Sequence, residues 1–136
     1  AYNIPEVSKI LDFINVMAYV LHGSWEIGVG HYAPMRVRPE EIDYERTLNV
    51  EYAFNYWINK GAPRNKLVLG MGLYGRTFTL TDPSITVLGS TAKGPGRGGP
   101  FTKEPGMLGY YEICLNLKQG WKEVVPEKVD APYAYS

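Results

Sequence analysis

Phe13-Ile14-Asn15-Val16-Met17-Ala18-Tyr19-Val20-Leu21 is β-branched, aromatic and almost free of polar side chains. A run of that texture reads as a strand covered on both faces, and such strands belong to parallel sheets. Leu67 to Tyr74 has the same texture. Between them Asn49 caps a helix whose apolar residues Val50, Ala53, Phe54, Trp57 and Ile58 share one face, and Gly61 with Pro63 ends it. Strand, helix and strand make a βαβ unit, right-handed by the general rule. Two parallel strands and one long helix cannot cover one another on all sides, so the sequence reads as part of a larger fold.

Outward from that unit, Asn3-Ile4-Pro5-Glu6 is a helix start, with Val7, Ile10 and Leu11 at helical spacing and an end near Asp12. His22 to Arg46 is a long surface loop. It contains a Gly-rich turn and then a solvated stretch where Arg36, Arg38, Glu40, Glu41, Asp43, Glu45 and Arg46 alternate in sign. Beyond Phe78 glycine dominates, at positions 89, 94, 96, 98 and 99. A short helix is expected within Gly106 to Leu117, and strands at Trp121 to Val125 and Tyr133 to Tyr135. This second part has an α+β character of its own. The boundary falls near Leu80, dividing the chain into residues 1–80 and 81–136.

The 136 residues carry 14 basic and 14 acidic side chains, a formal net charge of zero. That balance argues against a nucleic-acid binder and against a polybasic membrane-surface module, since both need surplus Lys and Arg. No stretch approaches the roughly 20 apolar residues of a membrane span, and Ala1 to Pro5 lacks the pattern of a signal peptide. Cys114 is the only cysteine, which excludes an internal disulfide and a multi-thiolate metal site. It is either an apolar filler or half of a bridge whose partner lies elsewhere. Aromatic residues make up 13% of the chain, with 11 Tyr and 3 Trp, and such rings suit both cores and the faces of sugars.

Gly28-Val29-Gly30-His31-Tyr32-Ala33 spells a dinucleotide pattern, but Pro34 stands where its helix should continue. Gly94 to Gly99 lacks the Gly-Lys-Ser/Thr of a phosphate loop. His22 and His31 lack zinc-site spacing and are read as structural hydrogen-bonding residues, and no metal or cofactor is expected. The informative residues sit at strand ends. Tyr19 to Trp25 follows the first strand and Tyr74-Gly75-Arg76 the second, and in parallel α/β folds ligands gather at the carboxyl edge of the sheet. Met17 and Tyr19 are equally at home in a core. Arg76, emerging from a buried strand, must find an acceptor or water.

Several segments resemble glycoside hydrolase family 18, arthropod chitinases and chitinase-like proteins above all. They are Asp12 to Tyr19, His22-Gly23-Ser24-Trp25, Gly30-His31-Tyr32-Ala33-Pro34, Lys66 to Phe78, and Gly109-Tyr110-Tyr111-Glu112-Ile113-Cys114, in order along the chain. The resemblance implies a partial (β/α)8 TIM barrel, with Phe13 to Val20 on strand six and Leu67 to Tyr74 on strand seven. The start of a small inserted α+β domain would follow. It implies a secreted, monomeric parent that cleaves β-1,4 links of chitin with retention, the substrate's acetamido oxygen acting as nucleophile. A chitinase-like lectin that binds the oligosaccharides without cleavage is the alternative.

By matching position, the resemblance gives Tyr19 a role in steadying the acetamido group and puts Met17 on the floor of that subsite. It makes Trp25 a stacking surface on the leaving-group side, and Tyr74 and Arg76 hydrogen-bonding partners of the sugar. Cys114 would pair with a cysteine outside this chain, as a secreted parent allows. The family's D-x-x-D-x-D-x-E motif, which ends in the general acid, is absent from these residues, so the segment is expected to be inert by itself. The family's M-x-Y-D is here Met17-Ala18-Tyr19-Val20. Tyr32 and Gly72 replace a usual Asn and Pro.

Overall fold

The computed structural model describes residues 2–127 and 129–136. Helix α1, Ile4–Ile10, starts with Pro5 in its first turn, where a missing N–H costs nothing. Asn3 stands at the expected N-cap but makes no side-chain cap bond, and the helix stops short of Asp12. Lys66 ties its end down instead, donating from Nζ to the carbonyls of Ser8 and Leu11, each at 2.8 Å.

Strand β1, Ile14–Val16, pairs in parallel with β2, Leu67–Leu69, in the register Ile14↔Leu67, Asn15↔Val68, Val16↔Leu69. Helix α2, Val50–Asn59, connects them, and its cap is the one the sequence indicates: Asn49 Oδ1 accepts from Tyr52 N at 2.8 Å. Ile14, Val16 and Ala18 pack on Val50, Ala53, Phe54, Trp57 and Leu67. Both strands are shorter than their apolar runs. Nor are they covered on both sides: Ile14, Val16 and Ala18 are buried, whereas Phe13, Asn15 and Met17 are exposed. The alternation follows from the pleat, since α2 covers one face of the pair and no described element covers the other.

The remaining strands are antiparallel. Tyr74 to Arg76 does not continue β2; it forms β3, which pairs with β6, Met107–Gly109. β4, Phe78–Leu80, pairs with β5, Ala92–Pro95. These ladders join residues on both sides of Leu80. Helix α3, Tyr110–Lys118, follows β6 directly, and β7, Lys122–Val124, pairs with β8, Tyr133–Tyr135.

Glu112 is the staple of this half. Its side chain is fully buried and accepts four hydrogen bonds, from Phe101 N, Thr102 N, Thr102 Oγ1 and Gly109 N, at 2.8–3.0 Å. Burial alone would raise its pKa, yet those donors bring it down to about 2. The Gly98-Gly99 turn has no room for a side chain beside it: a Cβ on Gly99 would sit 2.1 Å from Glu112 Oε1.

Candidate functional site

The polypeptide after β1 and after β2 converges on a cluster of tyrosines. Gly70 N donates to Val16 O at 3.0 Å, which extends the contact between the two chain segments one residue past the ladder. Gly70 and Gly72 lie two apart, so in extended chain they share a face, and each takes an aromatic side chain. Tyr19 packs on Gly70, where a Cβ would come within 3.0 Å of its ring. The Tyr32 hydroxyl rests on Gly72, where a Cβ would lie 1.9 Å from it. The Tyr19 and Tyr32 rings are stacked at 6.1 Å, and Tyr74 meets them edge-on at 6.5 and 4.9 Å. Such edge and offset arrangements are favourable because ring edges and faces carry opposite partial charge.

Next to this cluster, Trp25 and Arg76 form a second pair, the guanidinium carbon 5.7 Å from the indole centroid. Arg76 Nε is buried and finds no acceptor among the described residues. At Nε the sequence expectation that this arginine needs an acceptor is therefore not met within these residues. Trp25 is 61% exposed, with one edge over Gly23 and a face open to a ligand. Tyr74 and Arg76, two apart on β3, link the tyrosines to this pair.

Burial, and next the neighbouring Tyr74, push the Tyr32 hydroxyl above the ordinary tyrosine range, so it stays protonated at any physiological pH. Met17, one residue past β1, is 74% exposed. Val20, just past Tyr19, has φ +59°, a left-handed conformation that β-branched residues rarely adopt. Tyr32 is the member of this cluster that the sequence reading did not place in the site. The available signal was the Gly-x-Gly spacing at the end of a strand, which marks a close approach.

Behind the cluster, His22 Nδ1 lies 2.8 Å from Glu26 Oε2, and buried His31 meets Tyr133 edge-on at 6.1 Å. His22 makes one side-chain hydrogen bond, whereas the buried Nε2 atoms of both rings have no partner among the described residues. Burial first, then Arg38, lower the His31 pKa to about 4. Among the described residues no group of three or more His, Cys, Asp or Glu is arranged to hold a metal ion. Cys114 on α3 is half-buried and forms no disulfide among them. A groove of about 290 Å³ along α2, lined by Arg46, Asn49, Tyr52, Tyr56 and Lys60 among others, lies apart from every residue named above for the site. Chemically, the site offers ring faces for apolar sugar faces, and phenol and guanidinium donors for hydroxyls and carbonyls.

Residues 1–136 match the family described as glycosyl hydrolases family 18 along their whole length. The chain is 46% identical over 136 residues to probable chitinase 10 of Drosophila melanogaster, covering 98% of this chain and 6% of that protein. The crystal structure of an immunomodulatory active chitinase from Trichuris suis superposes with a TM-score of 0.98 at 36% identity, over 100% of this chain and 37% of that one. Human YKL-39, described as a pseudo-chitinase with retained chitooligosaccharide binding properties, gives 0.95 at 42% identity, again over 100% of this chain and 37% of the other. The chain thus spans well under half the length of these relatives, in which catalytic and purely binding members both occur. The match along the whole length decides the family: the chain belongs to glycosyl hydrolase family 18.

Proposed function

We propose that the chain is a segment of a secreted protein that holds oligosaccharides of N-acetylglucosamine, as in chitin, against Tyr19, Trp25, Tyr74 and Arg76. In this reading β1 and β2 are strands six and seven of a (β/α)8 barrel, and residues 81–136 begin an inserted α+β domain. The open face bearing Phe13, Asn15 and Met17 is then the face turned to the rest of the barrel, with Met17 on the floor of a subsite. Cys114 pairs with a cysteine beyond this segment. The observation that carries the proposal is the pairing of Trp25 with Arg76: a largely exposed indole has a guanidinium over its ring at 5.7 Å. A sugar ring would stack on the indole, and its oxygens would accept from the terminal N–H groups of the guanidinium.

In the complete protein, hydrolysis with retention needs a general acid that these residues do not carry. Tyr19 would then steady the acetamido group as it attacks. Similarity to an active chitinase favours cleavage; Val20 in place of an acidic residue, and similarity to a pseudo-chitinase, favour binding alone. Titrating chitotetraose into the intact protein while following tryptophan fluorescence tests the shared core of both readings. Saturable quenching, lost in Trp25→Ala, is expected; absence of any saturable signal would overturn it. Release of chitobiose from the same mixture separates enzyme from lectin.

A further inference from the structure

We propose that Tyr32 and Gly72 form one steric unit, in which Tyr32 is a positioning residue that sets the ring planes of Tyr19 and Tyr74 from behind. The inference rests on the sugar-binding reading and adds a residue to it. Tyr32 is anchored on both sides along the chain: His31 and Pro34 are buried, and its carbonyl accepts from Leu21 N at 3.0 Å. The ring cannot retreat along its own backbone. At its other end the hydroxyl is buried and makes no hydrogen bond of ordinary geometry among the described residues, although Tyr74 stands close enough to raise its pKa, so the shape around it does most to fix its place. That shape is the surface of Gly72. A Cβ there would meet Tyr32 Oη at 1.9 Å, Tyr32 Cζ at 2.9 Å and Tyr74 Cε1 at 3.1 Å, all side-chain atoms of the cluster.

Any side chain at 72 must therefore displace Tyr32, and the displaced ring lies within contact of both Tyr74 and Tyr19. Closely packed rings shift together, because each fills the space the other leaves. Ligand contacts of Tyr19 and Tyr74 thus depend on a residue pair that does not itself meet the sugar: Tyr32 Oη is out of reach of solvent.

A double-substitution cycle on the intact protein tests this, with chitotetraose as the probe, calorimetric affinity as the readout and thermal midpoint recorded alongside. Gly72→Ala is expected to weaken binding by about tenfold or more, and Tyr32→Asn by several-fold. Adding Gly72→Ala to Tyr32→Asn is expected to cost far less than Gly72→Ala alone, since the Tyr32 ring is gone and only the 3.1 Å approach to Tyr74 Cε1 remains. Tyr32→Phe keeps the ring and should bind within about twofold of the unaltered protein, at an unchanged midpoint. A Gly72→Ala penalty of the same size in both backgrounds, or unfolding caused by Gly72→Ala even when combined with Tyr32→Asn, would overturn the pairing while leaving sugar binding intact. Absence of chitotetraose binding by the unaltered protein would overturn the sugar reading, and this inference with it.

Discussion

Trp25 lies so close over Gly23 that a Cβ on Gly23 would sit 2.1 Å from Trp25 Cζ3 and 2.3 Å from Cη2. The glycine is the surface on which the indole rests while its face meets Arg76. Gly23→Ala must swing the ring away. Because Trp25 is largely exposed, the fold should lose little, about 0.5 kcal/mol or less. Losing the aligned ring should cost about 1 kcal/mol of ligand stacking, or roughly five-fold in affinity for chitotetraose. Calorimetric titration paired with a urea unfolding curve checks both numbers. Unchanged affinity would mean that the ring's placement over Gly23 is irrelevant to the ligand.

Val20 carries backbone strain at the head of the same segment. A β-branched residue at φ +59° gives up about 1–2 kcal/mol relative to its preferred regions, whereas Asn and Asp tolerate the left-handed conformation. Val20→Asn should therefore raise the unfolding free energy by about 1 kcal/mol, seen as a higher urea midpoint at unchanged slope. Val20→Asp should do the same. If the complete protein supplies a general acid, it should also raise turnover of a fluorogenic chitobioside by about tenfold or more, the rate equivalent of one hydrogen bond to an ionised group. A stability gain without a rate gain would place this position in the fold and not in the chemistry.

What could be read from the sequence is what short-range chemistry dictates. Asn49 caps α2 because an Asn before a helical apolar stripe has its acceptor within reach of the backbone two or three residues on. The strand Tyr133–Tyr135 was legible from its local texture, and the parallel pairing of the two apolar runs from the helix that separates them. Strand lengths were not, because a run such as Phe13 to Leu21 is strand only where a ladder partner stands beside it, and here the ladder covers Ile14 to Val16. Tyr32 and Gly72 were visible only as two separate departures from motifs that the chain otherwise resembles. Their relation, a larger group at one position seated on the missing Cβ of the other, exists only in three dimensions. The left-handed turn at Val20 and the four donors around Glu112 likewise leave no periodic trace.

Glu112→Gln is expected to loosen one region and spare another. The carboxylate has two acceptor oxygens serving four donors; the amide must turn an N–H₂ group toward donors at one of those places. Amide exchange at Phe101, Thr102 and Gly109 should speed up by about tenfold or more, while Ile14 to Val16, held by α2, should keep their protection. Uniform acceleration throughout would mean that the staple holds the whole chain and not this half. Because the Glu112 pKa is lowered, from 4.5 to about 2, its contribution is complete above pH 4.5. It fades as pH falls toward 2.

His31 titrates in a different window. Burial first, then Arg38, lower its pKa from 6.5 to about 4, with His22 acting in the same direction and Glu41 against them. In the unfolded chain the imidazole takes its proton near pH 6.5. Between those values the unfolded state binds more protons than the folded one, so this contribution is complete above about pH 6.5 and is lost as pH falls toward 4. The urea midpoint should accordingly drop between pH 7 and pH 5, before Glu112 begins to titrate. His31→Gln, which stays neutral, should flatten that drop while leaving the later loss below pH 4.5 in place. An undiminished slope between pH 7 and pH 5 in His31→Gln would assign the proton uptake to another group and remove His31 from the account.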